Sequence, residues 1–209
     1  MNHFYKKLTQ NFPLNITLVT VSKTRTNQEI MELYNLGQRD FGENKVQELV
    51  NKYQILPKDI NWHMIGHLQV NKVKFIAPFV HLIHSIDSLK IAQEINKQAQ
   101  KENRRINGLL QLKIAEEESK FGLSFIEAEK LMLEIEAMNH LKIVGIMGMA
   151  TNTTIETKIE KEFLELNEYF NQLKANYSLI KILSMGMSSD YTIAIKCGSN
   201  LVRIGSLLF

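Results

Sequence analysis

Residues 16–30, Ile-Thr-Leu-Val-Thr-Val-Ser-Lys-Thr-Arg-Thr-Asn-Gln-Glu-Ile (ITLVTVSKTRTNQEI), decide how the chain is read. The stretch is apolar and β-branched from Ile16 to Val21, the composition of a buried strand. It turns polar at Ser22-Lys23-Thr24 and resumes with helical spacing from Asn27 to Leu36, ahead of Gly37. A strand, a short polar turn and a helix make one βα unit, with a lysine at the strand's exit.

The same rhythm continues outward. Further short apolar runs lie at Asp40 to Gly42, Trp62 to Ile65, His81 to Ile86, Gly108 to Ile114, Ile143 to Met147, Ile182 to Ser184 and Leu201 to Ile204, which makes eight candidate strands. Helical segments intervene at Ser88 to Lys101, Ser124 to Met138 and Ile155 to Asn176. Strand then helix, repeated, implies a parallel sheet. Eight units in 209 residues predict a compact (β/α)8 TIM-type barrel, at the short end of the usual range. A doubly wound sheet is the alternative, but no G-x-G-x-x-G turn follows the first strand. No linker or low-complexity stretch interrupts the chain. One domain over residues 1–209 is therefore expected, with an N-terminal helical segment at about 2–12.

Composition narrows the function classes. A 44% hydrophobic content suffices for a sizeable core. The net charge of +3 comes from 25 basic and 22 acidic residues spread along the chain, so no phosphate-neutralising stripe and no nucleic-acid partner is implied. Cys197 stands alone, which suits a reducing compartment. The N-terminal MNHFYKKLTQNF lacks the apolar core of a signal peptide, and no uncharged apolar run approaches the roughly 18 residues of a spanning helix. A cytoplasmic protein without membrane contact is expected.

In a barrel, functional groups gather where strands end at the C-terminal face. MGMSSD (Met185 to Asp190) and RIGS (Arg203 to Ser206) each join glycine to a hydroxyl residue after the last two strands. Glycine lets backbone N–H groups approach a ligand, and loops seven and eight are where barrels most often hold phosphate. The plainer reading makes them turns, with Ser188 or Ser189 capping a helix from Tyr191. Lys23 could be a surface lysine, yet strands one and eight adjoin in a closed barrel and set its amine beside that phosphate cup. Such an amine can attack an aldehyde, so a phosphate-bearing carbonyl compound is the natural ligand. Arg203 would emerge between the cup and the barrel centre, facing a ring nitrogen, an anion or a neighbouring carboxylate.

Two other groups invite a site and are set aside. His63 with His67, and His81 with His84, suggest metal, but no acidic third ligand is spaced for zinc, and His81 and His84 would point to opposite faces of a strand. No metal is expected. The triplet Glu116-Glu117-Glu118 reads as a solvated loop.

Taken together, VSKT (Val21 to Thr24), GQRDFGENKVQE (Gly37 to Glu48), WHMIGHLQVNK (Trp62 to Lys72), ESKFGL (Glu118 to Leu123), GIMGMA (Gly145 to Ala150), LSMGMSSD (Leu183 to Asp190) and VRIGS (Val202 to Ser206) resemble the pyridoxal phosphate homeostasis protein family. These are small barrel proteins similar to the N-terminal domain of bacterial alanine racemase. The resemblance implies pyridoxal 5′-phosphate (PLP) held as an aldimine on Lys23. It places Asn44 near the cofactor ring, Met187, Ser188, Gly205 and Ser206 in or beside the phosphate loops, and Arg203 opposite the pyridine nitrogen. Two departures stand out: the chain stops at Phe209 without the family's closing glycine, and QLKIAEEESK replaces the usual Q-x-N at strand five, leaving the role of Lys120 open.

Three functions compete at this level: a PLP carrier for intracellular homeostasis, a PLP-dependent amino-acid racemase or related enzyme, and a phosphate-binding barrel enzyme without the cofactor. A racemase of this fold resembles the barrel followed by a β domain that contributes a second base, and only Ser206 to Phe209 follow strand eight. Tyr191 is the one nearby substitute and is expected to pack. The resemblance therefore implies a monomeric carrier with weak or no racemase-like activity, whose partners are PLP and PLP-dependent apo-enzymes.

Overall fold

A computed structural model of the chain describes residues 2–115 and 121–209. Eight parallel strands close into a barrel in chain order: β1 (Thr17–Val21), β2 (Asp40–Glu43), β3 (Asn61–Met64), β4 (Leu82–Ile86), β5 (Ile106–Leu112), β6 (Leu141–Gly148), β7 (Ile182–Ser184) and β8 (Leu201–Ile204). The (β/α)8 expectation is met. Around them lie α1 (Asn2–Gln10), α2 (Asn27–Asn35), α3 (Val46–Ile55), α4 (Val73–Ile76), α5 (Leu89–Lys101), α6 (Phe125–Ile135), α7 (Glu156–Asn176) and α8 (Tyr191–Lys196).

Strand alternation builds two cores. Outward residues such as Leu18, Phe41, Trp62, Ile83 and Val202 pack under the helices, with Ile30, Leu33, Leu49, Phe163 and Leu166 facing them. Inward residues Val19, Leu82, Leu109, Met147 and Leu201 form a separate apolar layer across the barrel. β1 pairs with β8 with Val19 opposite Arg203, which closes the ring. No helix follows β8 among the described residues. Instead α1 buries Tyr5 and Leu8 against the shared core, and Phe12 meets Tyr191 of α8 at 6.0 Å between ring centroids.

Several boundaries differ from the sequence expectation for identifiable reasons. β5 begins at Ile106 and β6 extends to Gly148, because the two strands pair from Ile106 opposite Leu141 to Leu112 opposite Gly148. Asn107, Gln111 and Lys142 are tolerated there even though they blur the apolar pattern. β4 begins at Leu82, so His81 precedes it. The cap of α2 is Thr26, the residue before the expected helical run: its hydroxyl accepts from the Glu29 N–H, while Glu29 accepts from the Thr26 N–H at 2.7 Å. Ser124 and Glu127 repeat this capping box at α6.

Thr26→Ala removes one half of the box and should lower stability by about 1 kcal/mol. The check is urea unfolding, with a lower midpoint and an unchanged slope.

Candidate cofactor site

The turn that carries Lys23 is built on an unusual backbone. Arg25 N–H donates to Ser22 O at 3.0 Å, and between them Thr24 takes φ 64°, a left-handed conformation that is costly for a β-branched residue. Glu48 holds it there by accepting from the Thr24 N–H at 2.6 Å. Beneath lies a buried ionic knot. The Lys52 amine donates to Ser22 O at 2.7 Å, Glu43 Oε1 at 2.8 Å and Glu48 Oε1 at 2.7 Å, and Ser22 Oγ donates to Glu43 Oε1 at 2.6 Å. Burial pushes the Glu43 carboxyl up despite Lys52 and Ser22. For Glu48, burial acts in the same direction, but Lys52 and the Thr24 N–H outweigh it and lower its pKa. The knot fixes the turn while Lys23 itself stays exposed.

Over the C-terminal ends of the strands opens a cavity of about 480 Å³. Its wall holds Lys23 from the end of β1, Asn44 after β2, Met187 and Ser188 after β7, and Arg203, Gly205 and Ser206 from β8 and its loop. All seven residues expected from the sequence thus meet in one cavity. Val21, Ile65 and Met149 complete it with apolar surface, and Ser189 adds a second hydroxyl. Their convergence follows from register: with Thr20 opposite Ile204, the residues after β1 lie against those after β8.

Glycines permit the close approaches. A Cβ on Gly205 would stand 3.0 Å from Val21 O, and one on Gly66 would stand 2.3 Å from the Asn44 carbonyl oxygen. Gly205 N–H donates to Ser188 Oγ at 3.3 Å, and Arg203 N–H to Gly186 O at 3.0 Å, so the two candidate phosphate loops are tied together. Asp190, not Ser188 or Ser189, holds the N-cap position of α8, and its carboxylate accepts from the Met187 N–H at 2.6 Å. This corrects the capping reading and leaves Met187 in the wall with its N–H engaged.

Arg203 is buried. Its Nη1 donates to Ser184 O at 2.9 Å and Ser184 Oγ at 2.7 Å, and its Nη2 to Gly148 O at 3.1 Å. None of these partners is a carboxylate, which corrects the salt-bridge reading, and burial pushes the guanidinium down to about 10, with Asp190 acting the other way. From Ser184 a file of polar groups crosses the barrel interior. Ser184 Oγ meets His84 Nδ1 at 3.2 Å, His84 Nε2 meets His63 Nδ1 at 3.0 Å, and His63 Nε2 meets Asp40 Oδ1 at 3.0 Å. Burial, then His63 and Arg203, push His84 well below its ordinary value, so it is neutral. Arginine only donates, so the Ser184 hydroxyl proton is free to go to His84, and the donors then run in one direction from Arg203 to Asp40.

This file lay beyond the sequence reading, which found no acidic residue spaced for the histidines. β2 supplies Asp40, and its pairing with β3 sets it beside His63. Tyr191 packs on Phe12 as expected. Glu116 to Glu118 and Lys120 lie outside the described residues.

Comparison with known proteins agrees with this geometry. The chain matches the family described as alanine racemase, N-terminal domain, over residues 2–209. A pyridoxal phosphate homeostasis protein of Helicobacter pylori is 44% identical over 197 residues, covering 93% of this chain and 87% of that protein. PipY of Synechococcus elongatus, solved with PLP bound, superposes with a TM-score of 0.91 at 29% identity, covering 99% of this chain and 98% of the other. An alanine racemase of Clostridium difficile shares the fold at a TM-score of 0.82, with 15% identity over 55% of its own length. The chain belongs to the pyridoxal phosphate homeostasis protein family, built on the alanine racemase N-terminal domain.

Proposed function

We propose that this barrel binds PLP through Lys23 and acts as a cytoplasmic, monomeric, single-domain carrier that holds and releases the cofactor without turning over amino acids. The observation that carries this reading is the meeting of an exposed lysine amine, serine hydroxyls and a buried guanidinium in one cavity. Relatives named for pyridoxal phosphate homeostasis, and PipY with PLP bound, support it.

The donor set fits the group. When bound, PLP supplies an aldehyde that a primary amine can attack, a phosphate that N–H and hydroxyl donors can hold, and a pyridine ring. Lys23 is the amine. Ser188, Gly205 and Ser206 serve the phosphate, Asn44 a polar edge of the ring, and Met187, Val21, Ile65 and Met149 its faces. Arg203 faces the ring nitrogen, and its fork is already fixed by Ser184 and Gly148, so it cannot swing away. A cation there disfavours a proton on the nitrogen, and with it the electron withdrawal that chemistry at an amino-acid α-carbon requires. Apo-enzymes that need PLP are the proposed recipients.

Borohydride reduction of the loaded protein followed by peptide mapping should place the label on Lys23, and Lys23→Ala should lose the cofactor's absorbance band with the fold intact. Label mainly on Lys45 or Lys120 would sink the assignment.

Ser188→Ala combined with Ser206→Ala should weaken retention of PLP, each lost hydrogen bond to a charged group costing on the order of 1.5–3 kcal/mol. Pyridoxal, lacking the phosphate, should bind the wild type far more weakly. Equal affinities for the two compounds would reduce both loops to turns.

Exchange of the amino-acid α-proton in deuterated water separates carrier from racemase. Exchange no faster than with free PLP is expected, together with delivery of PLP to an apo-enzyme. Stereospecific exchange at about 1–10³ s⁻¹ would overturn the carrier reading.

A further inference from the structure

The opposite, N-terminal mouth of the barrel holds a second cluster that the cofactor does not use. We propose that Asp40, His63 and His81 form a binding site for a divalent first-row transition-metal ion of the zinc class. One donor atom from each lies within 4.8 Å of the other two. They come from the start of β2, the interior of β3 and the residue before β4, three strands adjacent in the barrel, so the sheet itself sets the trio.

The spacing suits an ion. Donors bound at about 2.0–2.1 Å around a tetrahedral centre lie about 3.3–3.4 Å apart. Asp40 Oδ1 and His63 Nε2 are 3.0 Å apart, and small side-chain shifts would admit the ion in place of the proton they now share. Both ligands are held from behind, the arrangement that orients metal-binding side chains. His63 turns its other nitrogen to His84 Nε2 at 3.0 Å, and Asn61 Nδ2 donates to Asp40 Oδ1 at 3.2 Å. His81 is exposed at the rim, which leaves room for water as the fourth ligand.

Binding has a definite proton balance. The proton on His63 Nε2 gives way to the ion and is replaced by one on Nδ1 directed at His84 Nε2, while His84 turns its own proton to Nδ1 beside Ser184 Oγ, so the file reverses its direction with no net release of a proton. One carboxylate neutralises half of the ion's charge, and Arg104, fixed to Ala77 O and Val80 O, acts electrostatically on His81. Affinity is therefore moderate, and Asp40 is indispensable.

The test is titration of untagged, chelator-treated protein with Co(II), whose visible absorption reports coordination. Wild type should saturate at one equivalent, and Zn(II) should discharge the band. His81→Ala, at an exposed position, and Asp40→Asn should each weaken binding at least tenfold, with circular dichroism confirming that the variants fold. The cofactor can itself chelate metals, so Lys23→Ala is titrated in parallel and should keep the band. This outcome does not depend on the PLP reading. No saturable binding up to millimolar Co(II), equal binding by His81→Ala, or loss of the band in Lys23→Ala would each overturn the proposal.

Discussion

The parallel pairing of β1 with β8 is the constraint on which the rest depends. In an open sheet these strands would be free to lie far apart, and Lys23 would stand alone on an exposed turn. Closure sets Val19 opposite Arg203 and Thr20 opposite Ile204, which carries the Lys23 turn onto the Gly205 loop. The pairing is specified by burial on both faces. A slip of one residue would turn Arg203 into the helix layer and bring Val202 or Ile204 inward, leaving a charge among apolar side chains. The same register therefore satisfies the core and assembles the cavity.

Keeping a guanidinium inside a barrel raises a problem that neighbouring carbonyls solve only in part. A buried cation is costly unless its donors are satisfied, and Arg203 satisfies them with Ser184 and Gly148 rather than with a carboxylate. Negative charge arrives indirectly, through Ser184, His84 and His63 to Asp40. Each hydroxyl or ring between the two ends can donate at one side and accept at the other, so the file can polarise in one direction and spread the charge across the interior. Lysine could not replace the arginine here, because the planar fork bonds strands β6 and β7 at once.

The sequence made some of this plain and hid the rest for physical reasons. β1 and β8 are readable because short apolar runs end abruptly in Lys23 and in RIGS, and the cavity residues are readable because each follows such a run. The supports are not. Lys52 looks like any helical surface lysine until α3 folds over the turn and buries it against Glu43. Ser184 and His84 are 100 positions apart and meet only across the closed barrel, and His63 and Asp40 are 23 apart and meet only through the pairing of β2 with β3. His81 misleads the alternation argument because its strand begins one residue later. Local pattern reports which residues end a strand, whereas contacts inside a barrel depend on which strands adjoin.

The buried supports and the exposed groups above them have different parts in the proposed carrier. The Lys52 knot and the Arg203 file are buried and tied by several hydrogen bonds, which hold the backbone under Lys23 and the floor of the cavity in place. The groups above them differ: Lys23, Ser189 and Ser206 are exposed. An enzyme that stabilises a reactive intermediate gains by excluding water from it. A carrier has the opposite requirement, since water or an incoming amine must reach the attachment point for the ligand to leave. On the proposed carrier reading, a fixed base beneath the accessible Lys23 amine meets that requirement without a moving part, and this contrast, more than any single contact, is what supports reversible retention.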